Sequence, residues 1–148
     1  MAFVLPEPGF EFRSDASPYS RHHRVRFMWD AMAVLTGGSS TERPCLFTSA
    51  AHALAYARAR VTGDLGLAVE VLLADSGRDA ERLVARVNPR CWPECAPIVY
   101  DSILQEIARS IPLRQIIRQC PYRRFVDRTD GAPANNLVGE ALGRLART

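Results

Sequence analysis

The chain has 148 residues, 47% of them apolar and 24% charged, the balance of one soluble domain built round one core. No apolar run approaches the ~20 residues of a membrane-crossing helix, and residues 1–12 lack the basic flank and apolar stretch of a secretory signal, so a soluble, intracellular protein with no membrane contact is expected. The formal charge of +3 is too small to demand a nucleic-acid partner, and because all 19 basic residues are arginine, lysine Schiff-base chemistry and Walker-type phosphate binding are excluded.

Residues 1–24 are rich in Pro, Ser and Arg without helical period. They read as an extended arm that wraps the domain or a partner. Ser20-Arg21-His22-His23-Arg24-Val25-Arg26 is a basic cluster, suited to an acidic or phosphate-bearing partner but read first as a solvated arm. Residues 25–35 alternate loosely, with Val25, Phe27, Trp29 and Val34 as candidate buried positions, and fit a short strand or a helix. Residues 36–40 are a Gly/Ser loop, and 43–48 fit a short strand.

Ser49 predicts the cap of a helix over 50–61, closed by Thr62-Gly63. Leu67, Val71 and Leu72 form the apolar stripe of a second helix that stops near Ser76-Gly77. A short helix over 79–87 follows, then a Pro-containing loop over 88–97. Tyr100, Ile103, Leu104 and Ile107 predict a strong helix over 98–109. Ser110 is placed as the cap of the next helix, with Pro112 in its first turn and Leu113, Ile116 and Ile117 on its buried face. Residues 121–133 read as a polar, turn-rich segment. Leu137, Val138, Ala141, Leu142 and Leu145 make one stripe on a last helix capped by Asn135 or Asn136. The expected fold is therefore mainly α, an α+β domain with few short strands over 25–148, preceded by the arm at 1–24.

Cys91 and Cys95 have a spacing that permits two zinc ligands. A structural site needs four, no second close pair exists, and free thiols are expected at Cys45, Cys91, Cys95 and Cys120. No metal and no cofactor are predicted.

The order of the pieces resembles the NADAR, or YbiA-like, family. That family's pattern has a Ser-x-Glu-His helix, then Gly-Asp, a lone Trp, two helices, an acidic loop and a closing Asn-x-Leu-Gly-x-x-Leu helix. Ser49-Ala50-Ala51-His52, Gly63-Asp64, Trp92, the helix from Pro112 to Ile117 leading to Val126-Asp127, and Asn136-Leu137-Val138-Gly139-Glu140-Ala141-Leu142 carry the likeness, which covers residues 45–147. The resemblance implies an N-glycosidase that cleaves the ribose–base bond of ADP-ribose-type molecules. Such a reaction passes through an oxocarbenium-like transition state and needs a carboxylate near the anomeric carbon.

The chain departs from the pattern where that chemistry sits. The family's Glu falls on Ala51, and its Lys on Arg58. Losing one general acid/base group costs about 10²–10⁴-fold in rate. The expectation is a pseudoenzyme, a binding or structural component with N-glycosidase activity lost or weak. An ADP-ribose-like nucleotide is the candidate ligand, and residues 1–24 suit docking into a protein or ribonucleoprotein assembly. Two alternatives stay open: an active N-glycosidase using Asp127 or Asp130 as the acid, and an unrelated helical interaction module.

Each candidate has a plain structural counterpart. His52 fits a ribose contact or a helix histidine packed on the core. Arg58 fits a phosphate ligand or a salt-bridged surface arginine. Trp92 fits a base stack or core filler. Asp127 and Asp130 fit a catalytic acid or turn capping. Asn136 fits an N-cap or a ligand contact, and Gly139 a close helix approach.

Overall fold

In a computed structural model, residues 9–38, 40–120, 124–129 and 136–148 are described. Their elements run β1 (Gly9–Phe12), β2 (Phe27–Trp29), α1 (Ala31–Leu35), β3 (Cys45–Phe47), α2 (Ala50–Thr62), α3 (Leu65–Leu72), α4 (Gly77–Val84), α5 (Trp92–Ser110), α6 (Leu113–Gln119), β4 (Arg124–Asp127) and α7 (Leu137–Ala146). The fold is mainly helical with small sheets, as the periodicity predicts. No described helix is long and apolar enough to cross a membrane.

The core centres on α2. Ala50, Ala51, Ala53, Ala55, Ala57 and Ala59 are all buried, so the helix is enclosed rather than amphipathic. Alanine is the best helix former and has the smallest side chain that keeps one, which lets α3, α4 and α5 all pack against α2. Ser49 accepts the His52 amide at 3.1 Å, and Gly63 closes the helix at φ +79°, as their residue types predict.

β2 and β3 pair antiparallel, with Phe27 opposite Phe47. Phe27, Trp29 and Phe47 point inward, while Met28 and Leu46 are exposed, the period-2 pattern of a half-buried strand. The open choice at 25–35 resolves into both elements, a strand and then a helix capped by Asp30.

Three boundaries and one cap differ from the sequence reading. Ser76 does not end α3. Its hydroxyl accepts the Asp79 amide and starts α4 with Gly77 as the first helical residue. α5 begins at Trp92 rather than 98 and carries Pro97 inside it. Pro93 fits the first turn because its missing N–H would have no partner there. Pro97 forfeits one bond, to the Pro93 carbonyl on the exposed first turn. Ser110 is the last residue of α5 and not the cap of α6, whose start has no side-chain cap. Asn136 stands at the N-cap of α7 without capping it, because its amide serves β4.

The largest difference lies at the two ends of the chain. The segment read as turns over 121–133 contains β4, which pairs parallel with β1 from the arm, Gly9 opposite Arg124 and Phe12 opposite Asp127. Tyr19 packs its ring 5.3 Å from Phe10 and 5.4 Å from Phe125, and donates its hydroxyl to the Ile116 carbonyl at 3.2 Å. Phe12, Ser20 and His22 are buried. Residues 9–24 thus wrap their own domain, and the solvated-arm reading of the cluster at 20–26 fails for Arg21 and His22.

Candidate functional site

The first helical N–H groups of α2 need acceptors from outside the helix. The Arg21 carbonyl takes the Ala51 amide at 2.8 Å, which lays the strap of residues 20–22 across the start of α2. The Arg21 side chain then reaches inward. Its Nε donates to Glu81 Oε1 at 2.7 Å, its Nη2 to Glu81 Oε2 at 3.4 Å, and its Nη1 to Asp127 Oδ2 at 3.1 Å. The side chains of Arg21 and Asp127 keep only 15% and 10% of their exposure, so this is a largely desolvated ion cluster. Asp127 Oδ1 accepts the Thr129 amide at 2.9 Å. Both carboxyl oxygens of Asp127 therefore have partners.

His22 lies beside the cluster, with Nε2 3.6 Å from Glu81 Oε1 and no hydrogen bond to it. Burial lowers its proton affinity below that of an ordinary histidine, Arg21 and Arg78 add to this, and Glu81 and Asp15 oppose it. Tyr100 of α5 is fully buried nearby, and its phenol is pushed up, out of the titrating range.

A cleft of about 340 Å³ opens where α2 and α4 begin, lined by His22, Arg24, Ser49, Ser76, Gly77 and Arg78 among others. Arg78 is held by Asp15 through Nε at 2.8 Å and Nη2 at 2.7 Å. Gly77 lets the two helix starts meet: a Cβ there would lie 2.6 Å from Ser49 Oγ and 2.9 Å from Ala51 Cβ. Ala51 has no exposure at all. A longer side chain at 51 would have to displace the first turn of α4.

The residues singled out from sequence fall in separate places. His52 is buried with both ring nitrogens engaged. Its Nε2 lies 2.9 Å and 3.1 Å from the carbonyls of Val71 and Leu72, which only accept, so Nε2 carries the proton and Nδ1 receives the Thr48 amide at 3.4 Å. Arg58 donates to the Val87 carbonyl at 2.7 Å and to Asn88 at 2.6 Å, tying α2 to the loop after α4. Trp92 opens α5, half-buried against the core. Asn136 and Asp127 do come together: Asn136 Oδ1 accepts the Asp127 amide at 3.1 Å, and its Nδ2 donates to the Phe125 carbonyl at 2.6 Å, so one side chain completes the free edge of β4. Asp130 lies outside the described residues.

Arg21 and Glu81 were not predicted as partners. They stand 60 residues apart, and Arg21 and Asp127 stand 106 apart. No local spacing signals such a contact. The only cue was Arg21's place in the basic cluster.

Among the described residues no group of three or more His, Cys, Asp or Glu side chains is placed to hold a metal ion, and all four cysteines are free. Comparison of the chain with protein-family models, with curated proteins and with solved structures finds no match.

Proposed function

We propose that this chain is a NADAR-like domain that has kept its architecture as a binding or structural component, with ribose–base hydrolysis lost or weak. The observation that carries the reading is the state of its carboxylates. A glycosidic acid must offer a proton to the leaving base, and a nucleophile or base must be free to approach the anomeric carbon. Asp127 is paired with Arg21 and bonded to the Thr129 amide, and Glu81 is paired with the same guanidinium. Arginine keeps its charge at any working pH, so both carboxylates are engaged by one permanent cation and turned toward it. At position 51, where the resemblance expects the acid, a buried methyl group meets Gly77. The charge cluster reads as an internal tie between strap, helix and strand rather than as reacting groups.

The test is hydrolysis under single-turnover conditions, with protein in excess over ADP-ribose, NAD or ADP-ribosylated nucleic acid, and chromatography of the products. The expected result is no release above the uncatalysed rate. Release that disappears in Asp127→Asn would establish an active glycosidase and overturn the proposal.

A further inference from the structure

We propose that a groove beside α7 binds the phosphate backbone of single-stranded nucleic acid. This inference lies outside the Arg21 cluster and does not rest on the reading of it.

The charge of the chain is unevenly spread. Residues 113–148 hold seven arginines against three carboxylate side chains, a net of +4, and since the whole chain is +3 the remaining residues 1–112 carry −1. Such asymmetry is a footprint of polyanion binding when the fold gathers the charge on one surface. Here α6 and β4, which carry Arg114, Arg118 and Arg124, both pack on α7, which carries Arg144 and ends at Arg147. Arg114, Arg118, Arg124 and Arg147 are exposed, and among the described residues none of them has a carboxylate partner.

Arg124, Arg144 and Arg147 line a groove of about 820 Å³ between β4 and α7. Gly143 and Ala146 lie on the α7 side of it and add little side-chain bulk to the groove, while Gly139 packs directly on the Phe125 carbonyl. Arg144 is held by Asp101 through Nε at 2.9 Å and Nη2 at 2.9 Å, which fixes its position and offsets part of its charge. Arg124 stands on the β4 side and Arg147 at the end of α7, neither with a carboxylate partner among the described residues. Glu140 is the one carboxylate among the described lining residues.

A strand lying in the groove meets guanidinium groups on both sides, the geometry that suits phosphate oxygens. Among the described lining residues the one aromatic, Phe125, is 1% exposed and offers no stacking surface for a base. Recognition is therefore of the backbone and is independent of sequence.

The experiment is fluorescence anisotropy of a short labelled oligothymidylate against the full chain, across a salt series starting near 50 mM. Binding should weaken steadily as salt rises. The double variant R124E/R147E should bind at least about tenfold more weakly and show a log–log salt slope smaller by about 1.4, two phosphate contacts at about 0.7 each. The variant R43E/R90E makes the same charge change at exposed arginines outside the groove and should stay within about threefold of wild type. If R124E/R147E does not fold, R147E alone should give half the change in slope. Equal loss in both double variants, or no binding at the lowest salt, overturns the proposal. So does displacement of the oligonucleotide by equimolar tripolyphosphate or oligoglutamate, which would assign the groove to small phosphates or to an acidic peptide.

Discussion

A methyl group at position 139 would land on the Phe125 carbonyl oxygen and the Asn136 amide. α7 comes that close because Asn136 bonds β4 through both atoms of its amide, so the glycine is needed for contact with the strand and not for a turn. Gly139→Ala should therefore lower stability in urea by about 1–3 kcal/mol, as overpacking does. Gly66→Ala is the control. It sits in an exposed helical turn where an added Cβ meets nothing nearer than 3.4 Å, and it should gain about 0.5–1 kcal/mol from helix propensity. His22 gives a second residue-scale prediction. Burial, Arg21 and Arg78 hold its proton affinity below that of the unfolded chain, against the opposing pull of Glu81 and Asp15. The unfolded state then takes up the proton first as pH falls below about 6.5. Stability is fully present above that value and is lost as pH falls toward the folded one, at no more than about 1.4 kcal/mol per pH unit. Melting at stepped pH should show this loss in wild type and a flatter profile in His22→Gln. Parallel profiles would remove the assignment.

At the scale of elements, the β1–β4 pair decides whether the N-terminal segment is an arm or part of the domain. Phe12 is 3% exposed and sits opposite Asp127, so removing residues 1–13 strips a core aromatic and leaves β4 without its parallel neighbour. Losing a buried Phe side chain alone costs about 3–5 kcal/mol. The truncated chain should melt far below the intact one or fail to fold; an unchanged melting temperature would show a dispensable arm. The elements that could be read in advance were those written locally: the Ser49 cap and Gly63 stop of α2, the stripe of α7, the alternation of β2. Those that could not depend on distant partners. Nothing near residues 124–127 announces a strand, because its partner lies more than a hundred residues earlier. Pro97 argued against a helix that the packing of Ala96, Val99, Tyr100 and Ile103 nevertheless carries through it. Asn136 was placed correctly at the start of α7, but its side chain follows β4 instead of the helix.

For the molecule as a whole, the candidate site was partly legible and partly hidden for the same reason. Asp127 could be named from the chain as a carboxylate of interest. The arginine that neutralises it, and the glutamate that shares that arginine, are set by tertiary structure alone. A catalytic carboxylate and a structural one differ in a way that stability can read. A group kept for chemistry is often strained, and neutralising it leaves the fold as stable or more so. A buried ion-pair member is different, because removing it strands the opposite charge. The most direct measurement is a double-mutant cycle in urea over wild type, Arg21→Met, Asp127→Asn and the double variant. The structural account predicts that each single change destabilises the protein. It also predicts that the double costs less than their sum, with a coupling of about 1–3 kcal/mol. Additive effects, or an Asp127→Asn protein at least as stable as wild type, would contradict it.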